Sequence, residues 1–435
     1  MPSRREFLGT GALVALGATA SRPLAAEPLA SRQQALALPP AIAALSSQKE
    51  RMVPITNDER RARIEQARRL MGNQGLDAIV LTGGTSLRYF TNMSWGLSER
   101  LLAVILPREG APFIVCPAFE RDRAEEQISE GPLAGSGAEV MTWHEHESPY
   151  ALVAQGLRAR QTATGAVGIE ETVRWVFSDG IASALPSATL RSATPVTAGC
   201  RSIKSPAELA LMRLASEVTW KAYKAAYESL QDGMTQDDFG RLVSQAHQRQ
   251  GFQGGASVQV GQYSALPHGS VTPQVIREGT ILLIDGGCTV GGYQSDLSRT
   301  FVLGKATDRM NQVFEIEHRA QTAALQAARP GVPCEAVDAA ARRVITEAGF
   351  GPDYAFFTHR VGHGIGMDGH EWPYLVRGNT LPLAAGMTFS DEPGIYIPGE
   401  FGVRIEDDMV ITDDGAELLS PQSPSLETPF AIASD

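Results

Sequence analysis

Five residues have the types and spacing to hold metal ions. Asp285 follows the apolar run Ile281-Leu282-Leu283-Ile284, and Asp296 lies on the return segment Tyr293–Thr300 beyond Val290-Gly291-Gly292. Two apolar-rich segments around a Gly-Gly turn read as a β-hairpin. A two-residue loop at 290–291 puts Asp285 directly opposite Asp296, whereas a loop at 291–292 makes them diagonal neighbours. Either register leaves both carboxylates on one face, because strand side chains alternate with period two. Facing cross-strand pairs have Cβ atoms about 5 Å apart, so two bare carboxylates there repel and a cation removes the conflict. Glu392 on Met387–Ile397 and Glu406 on Gly402–Ile411 form a second pair, joined through Pro398-Gly399-Glu400. A three-residue loop there sets Glu392 against Glu406, although Pro393 and Gly394 disturb the first strand. The fifth residue, His363, stands between Gly362 and Gly364, which let a ligand side chain approach closely. Four carboxylates and a neutral imidazole carry a formal charge of −4, which two divalent ions balance. Oxygen-rich ligation with a single nitrogen favours manganese, cobalt, iron or zinc. An isolated Asp or Glu at a hairpin end is usually only solvated. Five such residues in apolar, glycine-flanked settings call for another explanation.

Those residues must be carried by a sizeable scaffold. At 435 residues the chain has room for roughly two or three domains. Apolar residues make up 43% of it and charged residues 20%, the balance of a soluble protein with a core. A net charge of −11 argues against a nucleic-acid partner, which requires a basic face. Cys116, Cys200, Cys288 and Cys334 are widely spaced and form no CxxC pair, so neither a structural zinc nor a disulfide framework is indicated. Residues 1–26 read as a signal peptide: Arg4-Arg5 with Phe7-Leu8 precede an apolar run to about Ala20, too short to span a bilayer. Cleavage is expected after Ala20 or Ala26. The paired arginines resemble a twin-arginine export signal, which makes that machinery a partner and the periplasm or the extracellular space the destination. Residues 27–53 read as an extended arm. Helix periodicity over Asp58–Met71 and strands at Asp77–Leu81, Leu102–Leu106 and Phe113–Cys116 indicate an α/β region to about Ala198. His144 and His146, among Glu145 and Glu147, read as a solvated acidic loop rather than a ligand set. Ser205-Pro206-Ala207-Glu208 predicts a capped helix running to about Leu230, and further helices are expected near 311–328 and 335–348.

The ordered motifs IDGG, YQSDLSRTF, HRVGHGIGMDGHE, DEPGIY and GVRIEDD resemble those of the pita-bread metallopeptidases of the creatinase/methionine-aminopeptidase superfamily, most closely the proline-specific branch. The sequence departs from the usual pattern at Gly369, where Val or Ile is common, and at Ser298, where Thr is common. The resemblance implies an α+β chain, with a creatinase-like α/β N-terminal domain over 54–200 and a pita-bread catalytic domain over 201–430. It implies that Asp296 and Glu406 bridge two metal ions, most commonly Mn2+, with Co2+, Zn2+ or Fe2+ as alternatives. Asp285 completes one ion; His363 and Glu392 complete the other. It further implies Glu392 as general base, His268 and His370 as substrate histidines, and His359 in a supporting substrate-binding role. Arg404, two residues before Glu406, shares its strand face and is expected to orient the cluster. Arg377, fifteen residues before Glu392, lies near where dipeptidases of this branch carry an arginine that grips the free carboxylate; the alternative is a solvated surface residue. The implied reaction is hydrolysis of Xaa-Pro bonds in dipeptides or short peptides, by a chain expected to be a homodimer. The alternatives are an Xaa-Pro aminopeptidase acting on longer peptides, a metal-free amidinohydrolase of the creatinase kind, another non-peptidase such as a lyase on the same fold, and a scaffold that has lost catalysis.

Overall fold

The computed structural model describes residues 38–432, so the signal peptide and the first part of the arm lie outside the described residues. The rest of the arm is not extended. Pro40–Ala43 forms a helical turn and Lys49–Arg51 a 3-10 turn. Ile42 packs against Ala222, Ala225 and Ala246 of two later helices, and Arg51 makes a two-bonded pair with Glu217, both contacts 2.7 Å. The apolar Ile42 among Ala- and Pro-rich neighbours gives this segment a face to bury, which composition alone did not reveal.

The first half is built on one six-stranded sheet. Its strands are β1 (Ala78–Thr82), β2 (Ala103–Pro107), β3 (Phe113–Pro117), β4 (Glu139–Trp143), β5 (Ala166–Ile169) and β6 (Thr189–Ser192), in the order β4-β3-β2-β1-β5-β6. β1 shows why the sheet is covered on both faces. Ala78 and Val80 point to one apolar cluster, while Ile79 and Leu81 point to another. Each large aliphatic side chain buried this way contributes roughly 1.5–3 kcal/mol. The helix Asn57–Gln74 begins with a capping box made by Thr56 and Glu59. Pro206–Tyr227 begins the same way with Ser205 and Glu208, as the sequence predicts.

The second half carries the antiparallel sheets that position the site. β7 (Ser257–Val260), β8 (Ile281–Gly286) and β11 (Leu297–Val302) form one, in the order β11-β8-β7. β9 (Thr289–Val290) and β10 (Tyr293–Gln294) continue the β8–β11 hairpin around a Gly291-Gly292 loop. A five-stranded sheet runs β13-β12-β14-β17-β18, from β12 (Gly362–Gly364), β13 (Glu371–Leu375), β14 (Thr388–Asp391), β17 (Asp407–Ile411) and β18 (Ala416–Leu418). β15 (Gly394–Ile397) and β16 (Phe401–Arg404) extend the β14–β17 pair as a separate ribbon. Helices Asp308–Ala327 and Cys334–Glu347 pack on these sheets through a shared apolar cluster. None of the described helices is long and apolar enough to cross a membrane.

Candidate active site

The two hairpins deliver the carboxylates in defined registers. Ser298 pairs with Asp285 in β11–β8, so the 291–292 loop is the one adopted and Asp296 is the diagonal neighbour of Asp285. On the second hairpin Asp391 pairs with Asp407 and Gly394 with Arg404. The same register carried through the break at Pro393 sets Glu392 opposite Glu406. An isolated bridge between Ser298 and Glu406 stitches the hairpins together, with mutual N–H to O bonds of 3.3 and 3.1 Å. His363 arrives on β12 beside a bulge between His363 and Gly364. Bulges commonly re-aim side chains next to sites.

These residues converge on a cavity of about 360 Å³, lined also by Pro267, His268, His359, Arg360, His370 and Arg404. Ligand atoms of Asp285, Asp296 and Glu406 lie within 4.8 Å of one another, as do those of His363, Glu392 and Glu406. His363 Nδ1 donates to Gly364 O at 3.1 Å, which turns Nε2 toward Glu392 at 3.3 Å and Asp296 at 4.0 Å. A backbone acceptor behind the ring is the usual way of fixing a ligating imidazole. Burial, then Asp285 and Asp408, push the Asp296 carboxyl well above its ordinary range. Burial, then Asp296, Glu392 and Asp285, do the same to Glu406. Glu392 goes the other way: burial opposes its charge, but the contact with His363 and the neighbouring His359 and Arg404 hold it below the usual carboxylate range. Acid groups this crowded become jointly ionised when divalent cations sit among them, and this oxygen-rich donor set with one imidazole fits such ions.

A buried scaffold of polar groups braces the ligands. Arg404 reaches Asp285 Oδ2 at 2.8 Å, Ser298 Oγ at 2.9 Å and Tyr396 Oη at 2.8 Å. Ser298 Oγ in turn lies 2.6 Å from Glu406 Oε2 and 3.1 Å from Asp285 Oδ1. Asp408 accepts the Asp296 N–H and the Ser216 hydroxyl, both at 3.1 Å.

Comparison with known proteins agrees with this architecture. The model of metallopeptidase family M24 matches residues 210–413, and that of the creatinase/prolidase N-terminal domain matches residues 63–203. The probable dipeptidase PepE of Mycobacterium tuberculosis is 36% identical over 357 residues, covering 81% of this chain and 92% of its own length. The chain belongs to metallopeptidase family M24. The Xaa-Pro dipeptidase of Lactobacillus helveticus is 33% identical, with coverage of 78% and 91%. Among solved structures, dipeptidase PepE from Mycobacterium ulcerans superposes with a TM-score of 0.80 at 34% identity, covering 87% of this chain and 100% of that one. The prolidase from Thermococcus sibiricus gives 0.74 at 30% identity, with coverage of 83% and 96%.

The M24 site departs from the sequence expectations in two places. Arg377 is outside the cavity: its side chain is 56% exposed and pairs with Asp353 at 2.9 Å. Val376 lines the cavity instead, a one-residue difference that spacing from Glu392 could not resolve. His359 does line the cavity, but its ring nitrogens are spent. Nδ1 donates to Arg360 O and Nε2 accepts from Tyr396 Oη, each at 2.8 Å, so it braces Arg404 through Tyr396 rather than offering a hydrogen bond to substrate. His268 and His370 both line the cavity and are exposed to it. The His370 ring stacks on His363 with centroids 3.7 Å apart, and its Nδ1 faces the Arg360 guanidinium at 3.4 Å. Because arginine only donates, that contact leaves Nε2 as the protonated, donating nitrogen. Sequence reasoning missed Arg360, although it stands inside the quoted HRVGHG motif. Among the described residues Arg360 has no carboxylate within ion-pair distance; it lies over the Tyr374 ring at 4.1 Å. His144 and His146 are exposed and belong to none of the candidate ligand groups among the described residues.

Proposed function

We propose that this chain hydrolyses Xaa-Pro dipeptides at a dinuclear centre whose two divalent ions, Mn2+ foremost, would be held by Asp285, Asp296, His363, Glu392 and Glu406. The carrying observation is the convergence of five metal-type ligands, the imidazoles of His268 and His370, and the Arg360 guanidinium, which pairs with no carboxylate among the described residues, on one cavity of dipeptide size. Two ions are supported by the way Glu406 belongs to both ligand groups, while Asp296 spans from Asp285 to His363. The names of the similar dipeptidases and prolidases support the substrate class.

When bound, the ions supply Lewis acidity and a water acidic enough to be a nucleophile near neutral pH. Glu392, ionised at neutral pH, accepts the proton of the attacking water and delivers it to the leaving proline nitrogen. His370 Nε2–H and His268 donate to the scissile carbonyl as its oxygen gains charge. Arg404 keeps Asp285 in place and holds the His268 loop through Pro267 O at 3.3 Å. Arg360 takes the role that the sequence reading gave to Arg377, gripping the dipeptide carboxylate with a guanidinium that meets no competing acid among the described residues. Assay of the Mn2+-loaded chain on Xaa-Pro and Xaa-Pro-Yaa peptides tests the reading. Turnover of the dipeptides is expected, and a chain inert on both series contradicts it.

Export through the twin-arginine route and homodimer assembly belong to the same proposal. The double variant Arg4→Lys/Arg5→Lys is expected to accumulate in the cytoplasm, and undiminished export contradicts that route. Sedimentation of the mature chain tests the dimer.

A further inference from the structure

His370 sits on a short turn between β12 and β13, and the acids around it are held from the other half of the chain. Glu371, immediately after His370 and 2% exposed, accepts the Met367 and Asp368 N–H groups at 3.1 Å each, closing the turn. Its carboxylate lies 3.3 Å from Arg201 Nε and 3.4 Å from Lys204 Nζ. Arg201 also contacts Ser86 Oγ, and reaches Glu171 at 3.1 Å and Asp368 at 3.9 Å. Asp368, two residues before His370, accepts the Thr85 hydroxyl. Thr85, Ser86, Glu171 and Arg201 all lie within residues 63–203, whereas the turn lies within 210–413.

The N-terminal half therefore grips the His370 turn on both sides of the histidine. We infer that Thr85 and Arg201 are positioning residues for His370, so that the N-terminal domain sets the height of the imidazole above the metal ligands. The physical basis is leverage. The turn's own backbone is anchored at Gly366, where Gln294 N–H bonds Gly366 O at 2.8 Å, and Gly369 lends the last step no stiffness. Gln294 Nε2 adds a bond to Met367 O at 2.9 Å, and the side chains of Asp368 and Glu371 hold the rest of the backbone that presents the ring to His363 and Arg360.

The inference rests on the proposed role of His370, and the test separates the two. Arg201 is 6% exposed at its side chain and its loss strands Glu371 in the interior, so the informative variants are Thr85→Val and Asp368→Ala. Asp368 is 40% exposed on a turn, a place where substitution rarely costs the fold. Each variant is expected to lower kcat on an Xaa-Pro dipeptide by roughly ten- to hundredfold, the scale of a modest misplacement of a catalytic group. KM and the metal bound per chain stay at wild-type values, and Thr85→Ser restores kcat. Made on a His370→Ala background and read by single turnover, the same changes produce no further loss. Full kcat in both variants overturns the inference, as does a loss that multiplies undiminished on the His370→Ala background. A normal kcat in His370→Ala itself refutes the histidine's role, which is a different failure.

Discussion

Glu392 is placed to ligate and to move a proton, and the two tasks separate by mutation. Glu392→Gln keeps one oxygen for a metal but has no basic group. Metal affinity is expected to weaken and kcat, at saturating Mn2+, to fall at least ~10²-fold, the low end for loss of a general base. Unchanged kcat under those conditions removes the base assignment. The two arginines part company in the same assay. Arg360→Ala is expected to raise KM for Xaa-Pro by roughly ten- to hundredfold, matching a charged hydrogen bond of about 1.5–3 kcal/mol, with little effect on Xaa-Pro-Yaa. Arg377→Ala, which only frees the exposed Asp353, is expected to leave both unchanged. The opposite pattern reinstates Arg377. The metal-type ligands were legible because their chemistry is written in residue type: carboxylates in apolar strands have few other uses. Arg377 was not legible, because one step along an irregular strand end reverses the direction of a side chain. Arg360 hid in a motif read for its histidines.

At the scale of elements, the turn residues left two registers open for the first hairpin and gave a single one for the second. Gly291-Gly292 has φ values of 60° and 95°, the left-handed geometry that a two-residue loop requires, and this chooses the diagonal register. The Pro398-Gly399-Glu400 loop likewise delivers Glu392 opposite Glu406 despite the break at Pro393. The glycines beside the ligand histidine were read as making room for a side chain, whereas Gly362 makes room for the backbone of a neighbouring strand. A Cβ there would lie 2.0 Å from the Ser390 carbonyl oxygen, so β12 and β14 would have to separate. Gly362→Ala is therefore expected to lower stability by about 1–3 kcal/mol and to weaken metal binding through His363. Wild-type melting temperature and metal affinity in that variant contradict the account of the strand packing. The docked segment around Ile42 was not legible, because its partners Ala222 and Ala246 are far away in sequence and small in size.

At the scale of the molecule, one buried polar chain ties acid stability to the first hairpin. His247 donates from Nδ1 to Val243 O at 2.9 Å and meets the Thr219 hydroxyl at 3.2 Å; Thr219 meets Ser295 Oγ, beside Asp296, at 2.9 Å. Burial lowers the His247 pKa from 6.5 to about 4. Because folding depresses this pKa, the stabilisation is complete above the unfolded value and is lost as pH falls from about 6.5 through about 4. The amount at stake is at most about 3 kcal/mol. His247→Gln, which takes up no proton in that window, is expected to flatten the fall in stability there; denaturation curves parallel to wild type remove His247 as the cause. The broad design, two halves with the chemistry in the second, was legible from motif order. The grip of the first half on the His370 turn was not, since its contacts join residues almost three hundred positions apart. The five convergent ligands are proposed to hold the ions on which Xaa-Pro hydrolysis depends. Elemental analysis paired with dipeptide turnover, on the wild type and on His363→Ala, tests this assignment most directly. Two divalent ions per chain with Mn2+-dependent hydrolysis are expected in the wild type, and loss of an ion with nearly all turnover in a folded His363→Ala. Full turnover by metal-free wild type, or two ions and normal turnover in His363→Ala, would contradict it.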